Sequence, residues 1–258
     1  MMRTYLVRGM LVGIVAGLLS FGFLKVYGEP QVDRAIAFET QMEEAKAAEH
    51  AKDAHGADHG AHAPAAEEPE LVSRAVQSGL GLFVAVLVYG AAFGGLFGLA
   101  FAFAFGRVPD VFAPQAMSAL LAATGFVAIY LVPNLKYPAN PPAVGEPETI
   151  GFRTALYFVM IAISLAAMVG AASLKHPLVA RFGQWNANLI AAAGYVIVVA
   201  VAFALLPAVN EVPEAFPAVV LWKFRIASLG AQFIMWLTLG LLFGALTQRA
   251  LAAGKQPA

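Results

Sequence analysis

Six stretches without a single Asp, Glu, Lys or Arg divide this chain of 258 residues: Gly9–Leu24, Ala75–Gly106, Val111–Leu135, Thr154–Leu174, Phe182–Asn210 and Ile226–Gln248. Five of them exceed the roughly 20 residues a helix needs to cross about 30 Å of hydrocarbon. The first is shorter, but Arg8 and Lys25 bracket it and both can snorkel to the headgroups. In lipid every backbone polar group must be satisfied within its own segment, so such runs fold as helices. The pattern predicts an all-α polytopic membrane protein, six transmembrane helices arranged as three hairpins, forming one transmembrane domain over 1–258. The N-terminal run has the basic start and apolar body of a signal peptide, but no small-x-small cleavage pattern follows it, so it reads as an uncleaved anchor.

Orientation follows from the basic residues near helix ends. With six spans both termini share a side, and that side holds Arg3, Arg8, Arg107, Lys175, Arg181, Arg249 and Lys255, with Asp110 its only acid. Both termini are therefore expected in the cytoplasm, and Gly28–Ser73, Asn134–Phe152 and Ala208–Phe224 outside. Net charge is zero and no large basic block occurs, which argues against nucleic acid as a partner. No cysteine is present, which excludes disulfides, thiolate metal sites and thiol catalysis. No phosphate loop, Ser-His-Asp set or His-Glu-x-x-His motif supports an enzyme.

The three expected hairpins share features. Each first helix should end at a proline-bearing turn: Tyr27-Gly28-Glu29-Pro30, Leu131-Val132-Pro133-Asn134 and Leu205-Leu206-Pro207-Ala208. Each second helix should begin at an arginine: Arg74, Arg153 and Arg225. Glycines recur every four residues at Gly9, Gly13 and Gly17, and again at Gly90, Gly94 and Gly98, with a further pair at Gly240 and Gly244. Such faces let backbones approach closely. They are read as packing within the bundle, the alternatives being a homo-oligomer interface or a pore lining. Met117, Met160, Met168 and Met235 are likewise read as packing residues rather than soft ligands.

The segment 28–73 is an extracytoplasmic His/acid-rich insertion between the first two helices. Its part Arg34–Asp53 is rich in Ala, Glu and Lys and lacks Gly and Pro, so it should be helical. His50, His55, His59 and His62, four of the five histidines, fall here with Asp53 and Asp58 among them. Imidazole suits Co, Ni, Cu and Zn, and the carboxylates raise the local cation concentration. Without a fixed geometry the segment would gather metal without selecting it. The other outer segments add oxygen ligands. Glu29, Asp33, Asn134, Lys136, Asn140, Glu146, Asn210 and Glu211 are candidates for an outer gate, where rings of carboxylates and amides attract cations. Inside the membrane, polar groups are few: Thr124, Ser164 and Gln232.

Four stretches carry a resemblance to a known family. They are Gly28-Glu29-Pro30-Gln31-Val32-Asp33-Arg34-Ala35-Ile36, the His/acid loop, Leu135-Lys136-Tyr137-Pro138-Ala139-Asn140-Pro141-Pro142-Ala143-Val144-Gly145, and Leu221-Trp222-Lys223-Phe224-Arg225. Together they resemble the CbtA-type cobalt transporter subunits, over essentially the whole chain. The resemblance implies a bacterial inner-membrane protein linked to cobalt supply for cobalamin, with a small single-helix CbtB-type subunit as partner. Co2+ is then the transported or captured ion, Ni2+ and Zn2+ remaining open, and no permanently bound cofactor is implied. Two readings stand: a metal-ion permease component, or a non-transporting subunit that binds metal or assembles a membrane complex.

Overall fold

The computed structural model describes residues 2–54, 72–105, 107 and 113–254. The described residues are helical nearly throughout, and six helices are long and apolar enough to cross a membrane: α1 (Met2–Glu49), α2 (Arg74–Phe105), α3 (Pro114–Lys136), α4 (Pro147–Lys175), α5 (Pro177–Leu205) and α6 (Ala218–Ala253). The expected all-α architecture with six spans is thus present.

Four of the spans form the main core. α1 and α2 run antiparallel in backbone contact. A Cβ placed on Gly9 or Gly13 would strike the carbonyl of Gly94 or Gly90, and one on Gly98 would strike the Tyr5 carbonyl. The four-residue glycine rhythm therefore packs the bundle internally, where only a missing side chain lets the two backbones meet. α6 lies against both α1 and α3. A Cβ on Gly240 would come within 2.7 Å of the Ala122 methyl, and one on Gly244 within 2.9 Å of Ser118 Cβ. Two buried hydroxyls cross-link these helices: Ser118 Oγ donates to the Gly240 carbonyl at 2.8 Å, and Ser20 Oγ to the Ala231 carbonyl at 3.1 Å. Near the termini Arg8 Nη1 donates to Thr247 Oγ1 at 2.9 Å, so α1 and α6 begin and end side by side. Between them Tyr5, Phe97, Phe101, Met117, Met235, Trp236 and Phe243 fill one apolar cluster. Phe101 and Phe243 meet edge to face, with ring centroids 5.1 Å apart.

α4 and α5 form a lighter arm. Gly183, at φ 76° and ψ 165°, breaks the helical run near the start of α5. Past that break the chain returns, and the Ser164 and Tyr195 hydroxyls share a hydrogen bond of 2.8 Å. Leu156, Met160 and Ala202 of the arm join Val132 and Tyr137 at the end of α3 in a second, smaller cluster. In its most apolar window α5 is only 6% buried, against 39% for α6. The pairing is thus less regular than three equal hairpins: α6 packs chiefly on α1 and α3, while α5 packs on α4 and the end of α3.

Several boundaries differ from those expected. The first helix does not end at Tyr27–Pro30: a π turn over Leu24–Gly28 leads straight into a helix that runs on through Ala54. The proline sits at the second position of that new stretch, where its missing N–H is tolerated, and the wider turn absorbs the local mismatch. The expected helix over Arg34–Asp53 lies within this extension. A π turn over Phe126–Leu131 likewise carries α3 past Pro133 to Lys136. The third expected stop holds, since α5 ends at Leu205 and Leu206 is extended. Only Arg74 opens its helix: the helices holding Arg153 and Arg225 start upstream, at Pro147 and Ala218. Further π turns span Gln77–Gly81 in α2 and Leu239–Phe243 in α6, so every core helix has one, and the described part of the arm has none.

We call the side holding residues 134–152 and 206–217 the loop face. There the extension of α1 caps the loops: Ala35 and Phe38 pack on Val144 and Phe216, with the two rings edge to face at 5.1 Å.

Candidate functional site

A cavity of about 390 Å³ opens on the loop face, where α3, α4 and α6 converge under the two loops. Its walls include Tyr130 and Asn134 from α3, Arg153 and Tyr157 from α4, Arg225 from α6, and Tyr137, Asn140, Asn210 and Glu211 from the loops.

The first loop is built around its prolines. Val144 N–H bonds to the Pro141 carbonyl at 3.3 Å, closing a turn with Pro142 second and Ala143 third. Ala143 has φ 65°, as the third position of a type II turn requires, although that position favours glycine. Gly145 follows at φ 113°, and the Arg153 guanidinium lies over it so closely that a Cβ would sit 2.6 Å from Cζ. Glycine is required there twice over, for its backbone angle and for the space. Asn134 Oδ1 accepts from Ala139 N–H at 3.2 Å, and the Tyr137 hydroxyl donates to the Pro207 carbonyl at 2.9 Å. Lys136 Nζ donates at 2.8 Å to the carbonyl of Phe203. That carbonyl is in the last turn of α5, where it lacks a helical partner and the negative helix end favours a cation.

Glu211 ties the two loops together. Its Oε2 accepts from the Glu146 backbone N–H at 2.8 Å and from the Thr149 hydroxyl at 2.9 Å, with Arg153 Nε at 3.4 Å. The Glu146 N–H is the main cause that holds the carboxyl below its ordinary range; desolvation opposes it, and the Thr149 hydroxyl and the Arg153 charge add smaller help. Arg153 also donates to the Glu146 carbonyl at 3.2 Å, while its Nε is buried without a hydrogen bond among the described residues. Arg225 anchors the other wall, donating from Nη2 to Asn140 Oδ1 at 2.9 Å and from Nε to the Ala139 carbonyl at 3.3 Å.

The structure sorts the candidate gate residues. Asn134, Asn140, Asn210 and Glu211 come together in the cavity wall. Glu146 contributes its backbone N–H and carbonyl beside it, and Lys136 turns to α5. Glu29 and Asp33 pair instead with Arg74, Asp33 at 2.8 Å. The captured-metal candidates fall elsewhere. His55, Asp58, His59 and His62 lie outside the described residues, and His50 and Asp53 lie in the helical extension of α1, without described side chains. Among the described residues no group of three or more His, Asp or Glu side chains could hold a metal ion. Sequence reasoning missed Arg153, Arg225, Tyr130, Tyr137 and Tyr157 as lining residues. The signal was there for the arginines, which recur near the start of each second helix, but recurrence alone names no partner. All three face partners on the loop side: Arg74 a pair of acids, Arg153 a carboxylate and a carbonyl, Arg225 an amide and a carbonyl.

No curated protein and no solved structure matches the chain. One family does match, over residues 2–248, and its description is "Probable cobalt transporter subunit (CbtA)". With a match over nearly its whole length and six spans in its fold, the chain belongs to the CbtA family of cobalt transporter subunits.

Proposed function

We propose that this chain is the membrane component of a cobalt-uptake system in the bacterial inner membrane, with both termini in the cytoplasm and the loop face outside. His50, His55, His59 and His62, with Asp53 and Asp58, gather Co2+ at the end of the α1 extension and beyond it. The loop-face cavity is the entry to the path, and a small single-helix subunit of the CbtB type completes the transporter. The observation that supports this reading most directly is the cavity itself: a recess with charged and amide groups in its wall at the loop-face ends of α3, α4 and α6, on the same side as the helical extension of α1 that carries His50. Recesses between helices are where small ligands bind in bundles.

A second reading, a non-transporting metal-binding or assembly subunit, is favoured by the buried hydroxyls. Ser20, Ser118 and Ser164 all bond within the protein, so few ligands are left at depth to replace the water around an ion. Cobalt accumulation by elemental analysis, in cells expressing the chain with and without the partner, separates the two. Accumulation that requires this chain supports the permease component. Its absence with protein present in the membrane supports the binding subunit. Replacing the four histidines with Ala should raise the half-saturating cobalt concentration and leave the maximal rate unchanged. Asn134→Ala with Asn140→Ala should reduce uptake at saturating cobalt, and unchanged uptake would remove these residues from the gate.

A further inference from the structure

The cavity is an odd host for a bare dication. Its charged lining is Arg153, Arg225 and Glu211, a formal charge of +1. The single carboxylate is matched by Arg153, and its Oε2 already takes the Glu146 N–H and the Thr149 hydroxyl. Two of the three amides in the wall, Asn134 and Asn140, also lean toward an anion. Each Oδ1 already accepts one hydrogen bond, from Ala139 N–H and from Arg225, while the N–H2 groups have no hydrogen bond among the described residues. Arg153 Nε lies buried 3.4 Å from Glu211 Oε2 without making a hydrogen bond among the described residues, so the guanidinium is paired in charge but not fully satisfied as a donor. A metal ion needs lone pairs. Apart from Glu211, this wall's charged groups are guanidiniums, and with the amide N–H2 groups they make the set that recognises a carboxylate. Its volume of about 390 Å³ is that of a small-molecule site rather than of an ion-sized cage.

We propose that the loop-face cavity binds a small polycarboxylate anion through Arg153, Arg225, Asn134 and Asn140, and that cobalt enters it as a carboxylate chelate rather than as the hydrated ion. The anion site follows from the wall alone, and the chelate rests on the cobalt-transport reading above. The guanidiniums take carboxylate oxygens that the metal leaves free, and the cation is carried with its ligands already in place. This also answers the shortage of ligands at depth, because the chelator supplies them.

Equilibrium dialysis of the purified full-length protein in lipid nanodiscs tests this, with three probes: radiolabelled citrate, cobalt–citrate with both components labelled, and CoCl2. The His50, His55, His59 and His62 to Ala variant is the background, so that loop capture does not mask the cavity. Cobalt–citrate is expected to bind with cobalt and citrate retained in equal amounts. Asn140→Asp keeps the oxygen that Arg225 uses but adds a negative charge, and should weaken that binding about tenfold or more while improving retention of CoCl2. Tyr157→Phe, which keeps the ring and its packing, should weaken it less and guards against a folding defect in the first variant. Citrate bound equally well without cobalt, with no preference for the chelate, would overturn the chelate and leave the anion site. CoCl2 retained while citrate is not, in either form, would overturn the whole proposal. Binding is read here without transport, so failure of cobalt accumulation in cells counts against the uptake reading alone.

Discussion

The four-span core and the α4–α5 arm are made of equally apolar helices, yet they are held together differently. In the core, backbones touch through Gly9, Gly13, Gly90 and Gly94, and hydroxyls of Ser20 and Ser118 bind carbonyls of α6. In the arm, Gly170 and Gly194 have nothing within 4 Å of where a Cβ would stand. The same residue type is thus essential in one region and idle in the other. Without a hydrophobic drive between helices in lipid, packing and interhelical hydrogen bonds decide which contacts are firm. The cavity sits on the boundary, its walls contributed by α3 and α6 from the core and α4 from the arm. A recess whose walls belong to a firm and a light unit can widen by moving the light one.

The largest effect that would test this contrast is steric. Gly13→Leu should destabilise the protein by on the order of 3 kcal/mol, because the new side chain meets the Gly90 backbone, which cannot yield. Gly194→Leu should change stability by less than about 0.5 kcal/mol. Both are read from thermal unfolding in nanodiscs, and equal losses would erase the distinction between core and arm. Next in size is Gly145→Ala. Forcing a methyl onto a backbone at φ 113° and against the Arg153 guanidinium should cost about 1–3 kcal/mol and detach the first loop from Glu211, measured as faster proteolysis of residues 138–149. Ser118→Ala should then cost about 1 kcal/mol, through the lost bond to Gly240, more than any effect of Thr124→Ala, whose hydroxyl bonds only within its own helix.

Acid provides a smaller effect. The folded-state pKa of Glu211 is depressed, so its contribution is complete above the ordinary carboxylate range and is lost as pH falls through the folded value. Hydrogen exchange at the Glu146 amide should therefore become relatively faster on acidification in the native protein, and Glu211→Gln should remove that dependence. The least effect is expected of Ala143→Gly. Relief of the left-handed backbone and the extra freedom of glycine nearly cancel, leaving a change of less than about 1 kcal/mol in loop stability.

The spans were readable because lipid enforces a simple rule: runs without charge become helices. The glycine faces were readable for the same reason, as spacing of four is a helix-face signal and the contacts it predicts are backbone contacts. The proline stops failed at Pro30 and Pro133, since a π turn just before each lets the helix pass. Widening of that kind leaves no mark in periodicity. The cavity was half readable. Asn134, Asn140, Asn210 and Glu211 stood out as polar groups beside helix ends. Which of them share a wall depended on Arg225 reaching Ala139, 86 residues away, and on Glu211 reaching Thr149, 62 residues away, and no local pattern carries such a pairing.

The placement of α6 has a consequence for how the protein is made. It is the last of the six helices to be synthesised, yet it supplies the carbonyls that receive Ser20 and Ser118, the hydroxyl that receives Arg8, and Trp236 and Phe243 of the central aromatic cluster. Until it enters the membrane, α1 has its glycine contact with α2 but an open seam on the side where α6 belongs. The core is therefore closed by its final span, and the interval between insertion of α1 and arrival of α6 is when the nascent chain is most open to the wrong neighbour.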